Sequence, residues 1–186
     1  MNGQIERSQF INPWRVTGWA FAAALLALPA VAMQFTSEVD WTASDFVVMG
    51  VMIGSVGLGL ELAIRASRNN RVRAGAAVAL LTGFLVTWSN LAVGIIGSED
   101  NPANLMFFAV LLLTVLGAFA SRLIPGGMAS VMAATAAAQF AVPLIALIAW
   151  PQPITPDLIR AILFNSIFAL MWLGSARLFA SARNTA

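Results

Sequence analysis

The sequence predicts an all-α integral membrane protein, a compact bundle of six transmembrane helices with both termini in the cytoplasm. Three observations carry that prediction. Of the 186 residues, 60% are hydrophobic and only 10% charged, whereas a soluble domain keeps about a quarter of its residues charged to face water. The apolar residues come in runs of roughly 20, the length that crosses a ~30 Å hydrocarbon core. The charges between the runs alternate in sign from one connection to the next. Residues 1–186 read as a single transmembrane domain, because no linker or composition shift divides them.

The first span is expected over Val16–Met33. Arg7, Arg15, an apolar run and then Pro29-Ala30-Val31-Ala32 imitate a secretory leader with an A-x-A cleavage site. Such a leader would be long and would contain Glu6, and its removal would leave an odd number of spans. An uncleaved span is therefore expected.

The second span, Asp45–Ile64, follows TSEVDWTAS. Thr42 and Asp45 stand three apart, the spacing with which side chains satisfy N–H groups left free in a first helical turn. Gly50, Gly54 and Gly57 form a small-residue strip that admits a close neighbour, first of all another span of the same chain. Glu61 is the one acid inside an apolar run that no cap explains. Arg65, four residues on, offers it an ion pair on the same helix face. The functional alternative is a proton- or cation-coupling carboxylate at the inner mouth of a pathway.

RASRNNRVRA leads into the third span, Gly75–Ile96, whose outer part carries Asn90. The polar run GSEDNPAN follows, and the fourth span is expected over Ala103–Ala120. Asn101-Pro102 reads as a cap residue with proline at the first helical position, where a missing N–H costs nothing. Capping needs one side-chain oxygen, yet Glu99, Asp100 and Asn104 add several more. Carboxylate and amide oxygens are what hard cations take, so a metal at Glu99 and Asp100 is the alternative, without any standard calcium-loop spacing. A third option is a clamp between one of these acids and Arg160.

SRLIPGG precedes the fifth span, Met128–Trp150, with Gln139 at its middle and Pro143 to kink it. The sixth span, Leu158–Leu178, starts from Thr155-Pro156-Asp157 and carries Asn165 beside Ser166. Buried amides at such depth hydrogen-bond between helices. Trp14, Trp19, Trp41, Trp150 and Trp172 are expected near span ends, where indoles favour the interface.

Orientation follows from charge. Arg7, Arg15, Arg65, Arg68, Arg71, Arg73, Arg122, Arg177 and Arg183 fall on one side of a six-span arrangement. Glu38, Asp40, Asp45, Glu99, Asp100 and Asp157 fall on the other, with Arg160. Arginine-rich short loops stay in the cytoplasm.

The stretch Trp41–Phe108, with DFVVMGVMIG, GLGLELAIRAS and NLAVGIIGSEDNPANLMFF, resembles a group of small uncharacterised bacterial inner-membrane proteins. The resemblance covers a little over a third of the chain. It implies a bacterial inner membrane and brings no activity or site with it.

Histidine, cysteine and tyrosine are absent, which excludes thiolate nucleophiles, disulfides and ligation through His or Cys. An enzyme is the least favoured class, and no cofactor is expected beyond a cation at Glu99 and Asp100. The first expectation is permeation or transport of a small ion or solute. Glu61, Asn90, Gln139 and Asn165 would then line a path, and Glu99, Asp100 and Asn104 an acidic outer vestibule. The alternative is a non-catalytic scaffold or accessory subunit acting through helix association. The expected partners are the lipid bilayer and a second copy or another membrane protein, with no nucleic acid.

Overall fold

A computed structural model describes residues 13–150 and 155–183. The expectations for Glu6 and Arg7, and for the side chain of Asp157, lie outside the described residues. The described chain is helical and contains no strand. Its helices are α1 (Pro13–Ala32), α2 (Ala43–Ala66), α3 (Asn70–Ala92), α4 (Leu105–Ala120), α5 (Pro125–Ala149) and α6 (Pro156–Ala182), with a 3₁₀ turn over Pro102–Asn104 before α4. Among the described residues, six helical segments are long and apolar enough to cross a membrane. They group into two compact units, residues 1–61 and 62–186.

In the first unit α2 begins as its sequence dictates. The Thr42 N–H and hydroxyl both donate to Asp45 Oδ2 at 2.7 Å, so the Asp45 carboxylate reaches back to the residue before the first turn, one half of a capping box. The glycine strip is largely consumed by α1. A methyl at Gly57 would stand 2.9 Å from the Trp19 ring, and one at Gly50 would stand 3.6 Å from Leu26. Gly54 has no neighbouring atom within 4 Å of that position.

In the second unit α6 lies between α3 and α5, and α4 packs on α5. One apolar cluster gathers Val86, Ile95, Ile96, Phe107, Val142 and Phe168. Another gathers Met128, Met132, Trp172 and Phe179. Trp172 is 2% exposed, and its ring tip lies 3.8 Å from where a methyl on Gly83 would stand. It is a core residue of the α3–α6 contact, and the interface position expected for it is corrected.

The helix ends show why three span boundaries move. RASRNNRVRA was expected to be a connection, but only residues 67–69 separate α2 from α3. Asn69 Oδ1 accepts from the Arg71 N–H, so the cap lies before Arg71 and Arg73, and these two arginines are helical. Arg73 then donates back to the carbonyls of Ile64 and Ser67, and Arg71 to that of Ser181. These carbonyls at helix ends have no helical partner of their own. In the same way Pro125 takes the first position of α5, so Gly126 and Gly127 belong to the helix rather than to the turn before it. Gly127 lies where a methyl would meet Ser121 Cβ at 2.6 Å.

The α4–α5 turn is a Schellman motif with an arginine in the glycine position. The Arg122 N–H bonds the Phe119 carbonyl and the Leu123 N–H bonds the Ala118 carbonyl, the paired pattern that closes a helix C-terminus. Arg122 holds φ 52° and Leu123 φ 58°.

Arg71 at the start of α3 meets the end of α6, and Gly126 at the start of α5 lies beside Arg183. The basic segments 65–73, 122 and 177–183 thus share one end of the second unit. Glu99 and Asp100 stand at the other.

Candidate functional site

The sequence drew attention to two places, the polar run after α3 and the amides at membrane depth. The run is a built loop. The third span was expected to reach Ile96, yet the helix ends at Ala92. Gly94 and Gly97 adopt φ 71° and 70°, a left-handed conformation that glycine takes without a steric penalty. A methyl at Gly94 would lie 2.5 Å from the Ser98 carbonyl carbon and oxygen.

Asn104 holds this loop. Its Oδ1 accepts from the N–H groups of Ile95 at 3.1 Å and Ile96 at 2.9 Å. Its Nδ2 donates to the carbonyls of Ser98 at 2.8 Å and Ile96 at 3.3 Å. An asparagine amide has two donors and two acceptor positions, so this side chain is fully engaged, and it is 4% exposed. Asn101 Oδ1 accepts from the Ala103 N–H and caps the 3₁₀ turn, as Thr155 Oγ1 accepts from Leu158 at the start of α6. The Asn104 oxygen that suggested a metal is therefore structural, and Asn101 is a cap as expected. Glu99 and Asp100 are exposed at the tip of the loop. Among the described residues no three acidic side chains gather as a metal group.

Beside the loop lies an open-sided cavity of about 450 Å³. Ile96, Ser98, Asp100, Asn101 and Ala103 line it from the loop and the 3₁₀ turn, and Ala146 and Trp150 line it from the end of α5. Trp150 is 53% exposed. Glu99 does not line it.

The amides at depth take separate roles. Gln139 Nε2 donates to Asn165 Oδ1 at 2.9 Å, and Asn165 Nδ2 donates to the Gln139 backbone carbonyl at 3.0 Å. The backbone bond fixes which end of the Asn165 amide is oxygen, and that in turn fixes Gln139. Both residues are wholly buried. Asn90, on α3, donates Nδ2 to the Val86 carbonyl of its own helix. Glu61 forms its ion pair with Arg15 of α1, a partner on another helix that the spacing to Arg65 did not suggest. Three buried polar atoms keep no partner among the described residues: Asn90 Oδ1, Gln139 Oε1 and Trp172 Nε1.

Sequence reasoning missed two hydroxyl contacts of the same kind. Thr114 and Thr135 bridge α4 to α5 at 2.8 Å, and Ser175 Oγ donates to the Gly75 carbonyl, joining α6 to α3, also at 2.8 Å. Thr and Ser commonly bond the carbonyl four residues back in their own helix, so their sequence positions carry no signal of an interhelical partner. With Gln139 and Asn165, the contacts α3–α6, α4–α5 and α5–α6 each contain a side-chain hydrogen bond between helices. No family model, curated protein or solved structure matches the chain.

Proposed function

We propose that the chain is a non-catalytic multi-pass protein of a bacterial inner membrane, a scaffold or accessory subunit that works by associating with itself or with another membrane protein. The observation behind this reading is the use made of the polar groups at depth. Gln139, Asn165, Thr114, Thr135 and Ser175 are spent on joining neighbouring helices, and Glu61 on joining α2 to α1. Such bonds rigidify a bundle, and a rigid bundle with short loops suits a platform. By the positive-inside rule the arginine-rich end is cytoplasmic, and both termini with it.

Gly54 is the place to test it, since the strip that Gly50 and Gly57 spend on α1 is open there. The chain has no cysteine, so a single Gly54→Cys substitution reports cleanly. Oxidation in native membranes is expected to give a disulfide dimer or a discrete mixed adduct from Gly54→Cys, and none from Leu113→Cys on a lipid-exposed face. A chain that remains monomeric and adduct-free ends this reading.

Permeation of a small ion or solute is the second reading, supported by the acidic cavity and by the unpartnered acceptors Asn90 Oδ1 and Gln139 Oε1. Ion flux into liposomes carrying the purified chain, abolished by Gln139→Leu, is its expected result. Equal flux in protein-free liposomes would remove it.

A further inference from the structure

We propose that the cavity beside Asp100 binds a small organic ammonium group, with the Asp100 carboxylate as counter-charge and the Trp150 indole as the aromatic wall. This is independent of the scaffold reading. Two features of the cavity select the ligand class. The first is the shortage of oxygen ligands. A calcium ion takes six to eight oxygens, but Asn104 Oδ1 is committed to Ile95 and Ile96 and Asn101 Oδ1 to Ala103. Among the described lining side chains, only the Asp100 carboxylate and the Ser98 hydroxyl keep oxygens that no hydrogen bond occupies. A bare metal ion would remain mostly hydrated there.

The second feature is the indole that shares the cavity with the carboxylate. An ammonium or quaternary ammonium group is attracted to an indole face and is not obliged to replace a full hydration shell with oxygens. Among the described residues Trp150 forms no stacked or edge contact with another aromatic ring, and the small Ala146 lines the same cavity. About 450 Å³ lies within the range of small-ligand sites, roughly 300–1,000 Å³. The cavity mouth is at the end of the helices, so the ammonium could belong to a free amine or to the headgroup of a phospholipid. The chemistry is shared.

The test uses the full chain purified in a neutral maltoside detergent, titrated calorimetrically with ethanolamine and with tetramethylammonium chloride at matched ionic strength. Saturable binding is expected. Asp100→Asn and Trp150→Leu should each weaken it about two- to fivefold, while Glu99→Gln leaves it unchanged and calcium chloride fails to compete. Asp100 is exposed, so Asp100→Asn keeps the fold, and circular dichroism checks that for each variant. A second arm places the chain in nanodiscs of phosphatidylglycerol with and without phosphatidylethanolamine and weighs the retained lipid by native mass spectrometry. Phosphatidylethanolamine retained by the parent chain and lost from Asp100→Asn identifies a headgroup as the source. Amine binding with no selective lipid retention identifies a free amine. The proposal is overturned if neither arm shows Asp100-dependent binding, or if calcium displaces the amine.

Discussion

Asn165 Nδ2 donates to the backbone carbonyl of Gln139 while Asn165 Oδ1 accepts from Gln139 Nε2, so one amide reads both the side chain and the main chain of its partner. The pair joins α5 to α6 at wholly buried positions. It holds register as well as contact, because a shift of one residue along α5 would break the backbone bond.

Replacing either residue by leucine should therefore expose a coupled loss. Interhelical bonds between polar side chains in membranes are worth about 0.6–2 kcal/mol. A double-mutant cycle of Gln139→Leu and Asn165→Leu, read by unfolding in mixed micelles, is expected to give a coupling energy in that range. Strict additivity would mean that the two amides do not act together.

Asn104 gives the sharpest stability prediction. Asn104→Ala leaves the buried N–H groups of Ile95 and Ile96 without an acceptor, at about 1–3 kcal/mol each. Asn104→Asp keeps the acceptor but sets a second oxygen against the carbonyls of Ser98 and Ile96 and buries a charge, so it should not rescue the loop. Amide hydrogen exchange at Ile95 and Ile96 should accelerate in both variants.

The history of these two sites shows how far the residues could be read. Run length announced six helices, since the thickness of the hydrocarbon core sets it. The caps at Thr42, Asn101 and Thr155 were also legible, because they act within three residues of themselves. Asn104 was not. Its partners lie eight and nine residues back, and only the left-handed turn at Gly94 brings them into reach. Distance along the chain likewise hid the Arg15 partner of Glu61, which depends on how α1 lies against α2.

The strip on α2 separates two glycines of similar appearance. Gly57→Ala forces a methyl to within 2.9 Å of the Trp19 ring, and overpacking of this kind costs about 1–3 kcal/mol. Gly54→Ala meets nothing within 4 Å and should leave the isolated chain as stable or more stable, by up to about 1 kcal/mol from helix propensity. Thermal unfolding of both variants in detergent checks the contrast. If a partner helix occupies Gly54, the same alanine should weaken crosslinking without lowering the unfolding midpoint.

Arg122 offers a gain. It occupies the left-handed position of the motif that closes α4, where an L side chain crowds the following carbonyl and glycine does not. Arg122→Gly should raise stability by about 0.5–1 kcal/mol, the steric relief being partly offset by glycine's greater chain entropy. A lower unfolding midpoint would instead assign the arginine side chain a contact that outweighs the strain.

The connection between α3 and α4 carries its own answer to a solvent problem. Peptide groups that leave a helix normally need water, which keeps loops outside the hydrocarbon. Asn104 supplies the bonds that water would have made to the N–H groups of Ile95 and Ile96, so these two peptide groups can lie dry. Beyond them the chain still needs water, since Gly97, Ser98, Glu99 and Asp100 are exposed. The waterline at this end of the second unit thus falls between Ile96 and Gly97.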